Sequence, residues 1–256
     1  MLDAATPESS ISPALPRTTE GESYVYSDVI RDDILSMIPS DGRVIGSVGC
    51  GYAKTEGILV SQGREVHGVD ISPRAIEVAR ARLTSARVVS PDERVPFKPD
   101  SLDGLILADV IEHMPQAWDY LAYFARTVKP GGWVVISVPN MRYMSALATL
   151  VLGGEWPEDP IGIFDGTHLQ VMTHRRLTRW AGQAGLELQR WYDKYDYRFV
   201  RRNVCRLVNR MTFGSFRSFL TYQVQGVFRR TTPREPSPPP SVPTHTPSHR
   251  EGSQVA

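Results

Sequence analysis

Short apolar runs alternate with amphipathic stretches from about residue 24 to residue 230, and this alternation limits the fold of the chain more than any other feature. Residues 43–48, 65–70, 87–90, 104–109, 133–138 and 186–191 read as strands, while 28–37, 54–61, 73–83, 117–128 and 174–184 read as helices. Strands alternating with helices of this length imply a parallel sheet covered by helices on its faces. Ser72 before Pro73 is a helix start: a side-chain acceptor at the cap, then a ring already held near helical φ. A last strand near 220–228 follows a long insert. The expected architecture is a doubly wound α/β sheet, whose ligand lies beyond the C-terminal ends of the strands.

Bulk properties narrow the setting. At 256 residues the chain suits one sizeable α/β domain with tails. A net charge of +1 supplies no global attraction to nucleic acid or membrane. Two cysteines, Cys50 and Cys205, build no disulfide framework, and MLDAATPESS lacks the regions of a signal peptide. The longest apolar run, 144–152, is about half a membrane span. These features lead us to expect a cytoplasmic protein. Residues 1–22 and the Pro/Ser-rich 233–256 offer little to bury, so both read as disordered tails around a domain at 23–232.

GSVGCGYAKTEG follows the first strand and opens a helix. Glycine there lets the backbone approach a ligand, and the helix N-terminus offers unpaired N–H groups. About twenty residues later the second strand ends at Asp70, an acid placed to accept hydrogen bonds from a ribose. Together they indicate a nucleoside-containing cofactor. Lys54 stands where the dinucleotide fingerprint requires its third glycine, which argues against NAD.

Four segments then follow in order: VGCGYA, VHGVDISPRAIEVAR, VPFKPDSLDGLILADVIEHM and VKPGGWVVISVPN. Their combination resembles the class I S-adenosylmethionine-dependent methyltransferases, and GGEWPEDPIGIFDGTHLQVMTHRRLTRWAGQAGLEL is similar to the branch described as ubiquinone-biosynthesis-like. The resemblance covers about residues 24–230. It implies a Rossmann-like seven-stranded sheet, mostly parallel with an antiparallel last strand, and S-adenosylmethionine as cofactor. Carried onto this chain, it implies that Gly49, Cys50 and Gly51 border the methionine part, Asp70 holds the ribose, Ile71 packs on adenine and Asp92 bonds the adenine amino group. Ala108 and Asp109, at the end of strand four, would line the floor near the sulfonium. Two positions depart from the family. Ser47 replaces an acid that helps neutralise the cofactor's ammonium, and Ala53 replaces a frequent third glycine. Both keep open the reading of a non-catalytic binding protein.

Methyl transfer from a sulfonium needs an acceptor held in line and relieved of a proton. His113 and His168 are the candidate catalytic residues. A second reading, from the same resemblance, places a divalent metal on Asp109, Glu112, His113 and His168, and a third makes these residues structural. Residues 141–168 read as a lid over the acceptor, with Tyr143, Met144, Trp156 and Phe164 as candidate lining. The insert at 192–217 carries a basic amphipathic helix over 198–210, a candidate contact for anionic membrane or a phosphorylated acceptor. The expected acceptor is an oxygen of a small molecule, glycan or lipid-linked compound; an RNA 2′-oxygen is the alternative.

Overall fold

A computed structural model describes residues 29–91, 93, 96–195, 207, 210–212 and 216–231. The expected tails, Asp92 and most of the 198–210 helix lie outside these residues; Leu207 and Met211, which are described, are exposed.

The strands are β1 (Val44–Val48), β2 (Glu65–Asp70), β3 (Ser85–Val88), β4 (Leu102–Ala108), β5 (Val128–Pro139), β6 (Leu186–Trp191), β7 (Lys194–Tyr195) and β8 (Thr221–Arg230). They form one sheet in the order β3-β2-β1-β4-β5-β8-β6, with β7 paired to β8. The first five run parallel, and β8 lies antiparallel to both β5 and β6. This is the mostly parallel α/β sheet expected from the sequence, extended by the two-residue β7. Chain order reverses between β1 and β4, so the crevice for a ligand opens at their C-terminal ends.

The helices are α1 (Asp32–Leu35), α2 (Lys54–Ser61), α3 (Pro73–Ala79), α4 (Ala117–Thr127), α5 (Met144–Ala148) and α6 (His174–Gln183). Helix α4 buries Tyr120, Leu121, Phe124 and Ala125 against Leu105, Leu107, Val134 and Ile136 on one face of the sheet. Ile34, Leu59, Ile76 and Ala79 pack the other face with Ile45, Ile106 and Val135. Burying these side chains supplies the main drive for folding, at about 1.5–3 kcal/mol for each large one. Ser72 caps α3 as expected, its Oγ accepting from the Ala75 N–H at 3.2 Å.

Several boundaries move, and the helix expected over 28–37 is only the single turn Asp32–Leu35. Helix α3 ends at Ala79, four residues before the expected end, and β3 begins at Ser85. The Thr84 Oγ takes the Val66 N–H at 3.0 Å and draws the chain onto the sheet early. Strand β5 begins at Val128, before the strand start expected at residue 133, and takes in the KPGG segment. Residues 144–152 form one α turn and then a π turn, Thr149–Gly153, closed by Gly154 at φ 66°.

Candidate active site

The site is built on the turn from β1 into α2. Gly49 (φ +66°) and Gly51 (φ +51°) are both left-handed, which glycine alone adopts without strain. A Cβ on Gly49 would lie 2.5 Å from the Val110 Cγ2, so the turn lies flat against the start of the next segment. Ala53 is left-handed as well (φ 55°), at a backbone cost of about 1–2 kcal/mol that glycine would avoid. The loop keeps the path a glycine would allow.

Asp70, at the tip of β2, organises this turn from the side. Its Oδ2 accepts the Gly51 N–H at 2.8 Å and its Oδ1 the Ser72 N–H at 2.9 Å. A cleft of about 480 Å³ opens above, and its lining includes the candidate site residues Gly49, Cys50, Gly51, Asp70, Ile71, Ala108, Asp109, Glu112, His113 and His168. Its far wall is Ile161, Gly162 and Tyr222. Of the residues expected there, Tyr143 and Phe164 are instead buried in a small core of their own, and Met144 and Trp156 are half-exposed outside the cleft.

Beyond β4 the chain makes a single 3-10 turn, Ile111–His113. The Glu112 carbonyl accepts the Leu169 and Gln170 N–H groups at 2.8 and 3.0 Å, docking the 165–170 loop on this turn. That docking brings Glu112, His113 and His168 together, with ligand atoms within 4.8 Å of one another and the imidazole centroids 4.7 Å apart. His168 Nδ1 faces the Ile163 carbonyl at 3.2 Å. His113 Nδ1 faces the Thr167 carbonyl at 3.3 Å and the Thr167 Oγ at 3.0 Å, and that hydroxyl donates to Asp165. Acceptors facing both Nδ1 atoms put the ring protons there and leave Nε2 as the basic nitrogen of each. Glu112 is fully buried, and neither carboxylate oxygen has a partner among the described residues. Burial, reinforced by the nearby Asp109 charge, pushes its carboxyl well above the usual range. Burial and the neighbouring His168 lower His113, so its imidazole is neutral at neutral pH.

Asp109 does not join this cluster. It too is left-handed (φ 57°), and its carboxylate is ion-paired with Arg31 and accepts from the Gln223 side chain at 2.9 Å. Arg31 also forks onto both Asp33 oxygens at 2.9 Å, and burial is outweighed by the two carboxylates, which raise the guanidinium's pKa. Arg31 was not singled out in the sequence. Its importance comes from a partner 78 positions away, and no local pattern signals that. Glu56 was missed as well; it lines the cleft and accepts from the Ser47 Oγ at 2.8 Å. His174, at the start of α6 and outside the cleft lining, holds Asp193 at 2.9 Å.

The comparisons with known proteins agree with this geometry. A methyltransferase domain model matches residues 47–136. The ubiquinone biosynthesis O-methyltransferase of Thiobacillus denitrificans is 31% identical over 159 residues, covering 59% of this chain and 67% of that relative. That of Xylella fastidiosa is 28% identical over 204 residues, covering 76% and 80%. The chain belongs to the class I S-adenosylmethionine-dependent methyltransferases. A solved S-adenosylmethionine-dependent methyltransferase from Mesorhizobium loti shares the methyltransferase's fold, with TM-score 0.55, 15% identity, and coverage of 78% of this chain and 96% of that one. S-adenosylmethionine is the cofactor of the methyltransferase. The cleft fits it: the volume is that of a small-ligand site, and the glycine turn, Asp70 and Ile71 line it together. Membership of an enzyme family also sets aside the non-catalytic reading that Ser47 and Ala53 had kept open.

Proposed function

We propose that this methyltransferase moves the methyl group of S-adenosylmethionine to a hydroxyl oxygen of a small molecule, held against Glu112, His113 and His168. Gly49, Cys50 and Gly51 border the methionine part of the cofactor, Asp70 takes the ribose hydroxyls and Ile71 packs on adenine. Ala108 and the backbone of Asp109 form the floor beneath the sulfonium. The observation that carries the acceptor site is the buried Glu112 carboxylate, unpartnered among the described residues, beside two imidazoles in the same cleft as the glycine turn. Relatives named O-methyltransferases support oxygen as the methylated atom.

In the reaction the acceptor oxygen approaches the methyl carbon opposite the sulfur. Bound S-adenosylmethionine would supply an already activated methyl group, the O–C bond forming as the C–S bond breaks to leave a neutral thioether. The acceptor's proton passes to an Nε2 nitrogen of the histidine pair. The neutral His113 imidazole, with Nδ1 tied to carbonyl and hydroxyl oxygen, is suited to that step, and His168 stands beside it in the same cleft. The same three side chains fit a hard divalent cation, because an ionised Glu112 lacks a partner among the described residues. Such an ion would lower the pKa of an acceptor hydroxyl.

The test uses two variants, with calorimetry and turnover measured together. His168→Ala and Glu112→Gln should each lower turnover at least a hundredfold while leaving affinity for S-adenosylhomocysteine within about threefold. Unchanged turnover in both variants would reject this acceptor site. Metal analysis of the purified protein, and turnover before and after chelation, then separate imidazole base catalysis from metal assistance.

A further inference from the structure

S-adenosylmethionine carries a zwitterion at the end opposite its adenine, and a buried site must meet the ammonium with an acceptor. Six acids line the cleft: Glu56, Asp70, Glu93, Asp109, Glu112 and Asp165. Five of them are placed or committed elsewhere. Both Asp70 oxygens accept backbone N–H groups, at 2.8 and 2.9 Å, at the tip of β2. Glu93 is paired with Arg87 at 2.7 Å, and Asp109 with Arg31. Asp165 accepts the Thr167 N–H and hydroxyl at 2.8 and 2.6 Å. Glu112 belongs to the histidine cluster beyond β4.

Glu56 differs from all of these. It stands in the first turn of α2 with its carboxylate directed back toward β1, where the Ser47 hydroxyl donates to Oε1 at 2.8 Å. Both residues are buried, Glu56 at 7% exposure and Ser47 at 1%. A carboxylate is thus buried in a ligand cleft with a neutral hydroxyl as its side-chain partner, an arrangement that favours an incoming cation. Its place suits the ammonium. Ser47 lies in β1 two residues before Gly49, so the acid it holds sits beside the glycine turn and lines the same cleft. The backbone N–H of Arg31 donates to the Thr55 Oγ at 3.0 Å, next to Glu56 in the chain, and so ties the start of α2 to the segment before α1.

We infer that Glu56 receives the α-ammonium of S-adenosylmethionine, and that Ser47 is the positioning residue that holds the Glu56 carboxylate beside the turn. The inference rests on the cofactor placement proposed above. The chain has no acid at position 47; it brings one in from the following helix, and the small serine leaves room for it.

Two ligands discriminate the role. S-adenosylhomocysteine carries the amino-acid end, whereas 5′-methylthioadenosine has the same nucleoside and a thioether but no ammonium. Calorimetry with wild type, Glu56→Gln and Ser47→Ala should show Glu56→Gln binding S-adenosylhomocysteine about tenfold to a hundredfold more weakly. Its affinity for 5′-methylthioadenosine should stay within about threefold of wild type, which also shows that the variant is folded. Ser47→Ala should lose in the same selective sense, by a smaller factor. Equal losses for both ligands, or none for either, would overturn this inference while the cofactor placement stood. Wild type binding neither ligand would overturn both.

Discussion

Asp70 shows how one side chain can serve the fold and the site together. Its two oxygens already fasten the turn at Gly51 and the start of α3 at Ser72, so a ribose bound there, as proposed, would meet an acid held by the same bonds that shape the loop. Asp70→Ala should therefore weaken S-adenosylhomocysteine by at least a hundredfold, more than one lost charged hydrogen bond accounts for, and also lower the melting temperature. Calorimetry and thermal unfolding on one sample check both; unchanged affinity would refute the loop assignment. Asp70 was legible in the sequence because it ends a strand about twenty residues after a glycine turn. The partition within ADVIEH was not. Asp109, Glu112 and His113 are neighbours in sequence, yet Arg31 takes Asp109 and leaves Glu112 to His168.

At the scale of elements, caps and hydrophobic spacing set where helices begin, and long-range bonds set where some of them end. Removing the Ser72 cap by Ser72→Ala should cost about 1 kcal/mol. For a chain of this size that is about 2–4 °C in melting temperature, read by calorimetry. The start of α3 was legible because Ser72 and Pro73 act on their own turn. Its end was not, because Thr84 leaves the helical path to bond the backbone of β2, 18 positions away. The acceptor side of the cleft shows the same limit. Apolar residues in 141–168 divide between a small core and the surface, and Ile161, Gly162 and Tyr222 form the wall.

At the scale of the whole molecule, Asp193 ties the C-terminal half together. Its buried carboxylate accepts from His174 at the start of α6, from Arg217, and from the Thr221 hydroxyl at the start of β8. Burial alone would raise its pKa, but the His174 bond and the Arg217 charge outweigh it and hold the group below its ordinary 3.8. A folded pKa below the unfolded one means stability present above about pH 3.8 and lost as pH falls through the folded value. Asp193→Asn should cost about 1–3 kcal/mol at pH 7, with the gap to wild type closing as pH drops below about 3.8. Urea unfolding at a series of pH values tests this; a gap that stays constant with pH would refute it. Across the described residues no helix is long and apolar enough to cross a membrane.

Apart from the antiparallel last strand, which the family resemblance implied, the sequence by itself determined the order of elements, the strand–helix alternation of a parallel sheet, the glycine turn and the acid at the tip of β2. Each depends on residues close along the chain, where hydrophobic period, caps and turn chemistry act within a few positions. Only the tertiary structure decided which acids meet which partners: Asp109 meets Arg31 and Glu56 meets Ser47, while Glu112 lies beside His113 and His168 with its carboxylate unpartnered among the described residues. Those pairings follow from which segments the sheet order brings side by side, and from a buried charge accepting whichever partner the packing leaves within reach. Ser47 changes meaning accordingly. In the sequence it is a missing acid, and in the fold it is the donor that holds one.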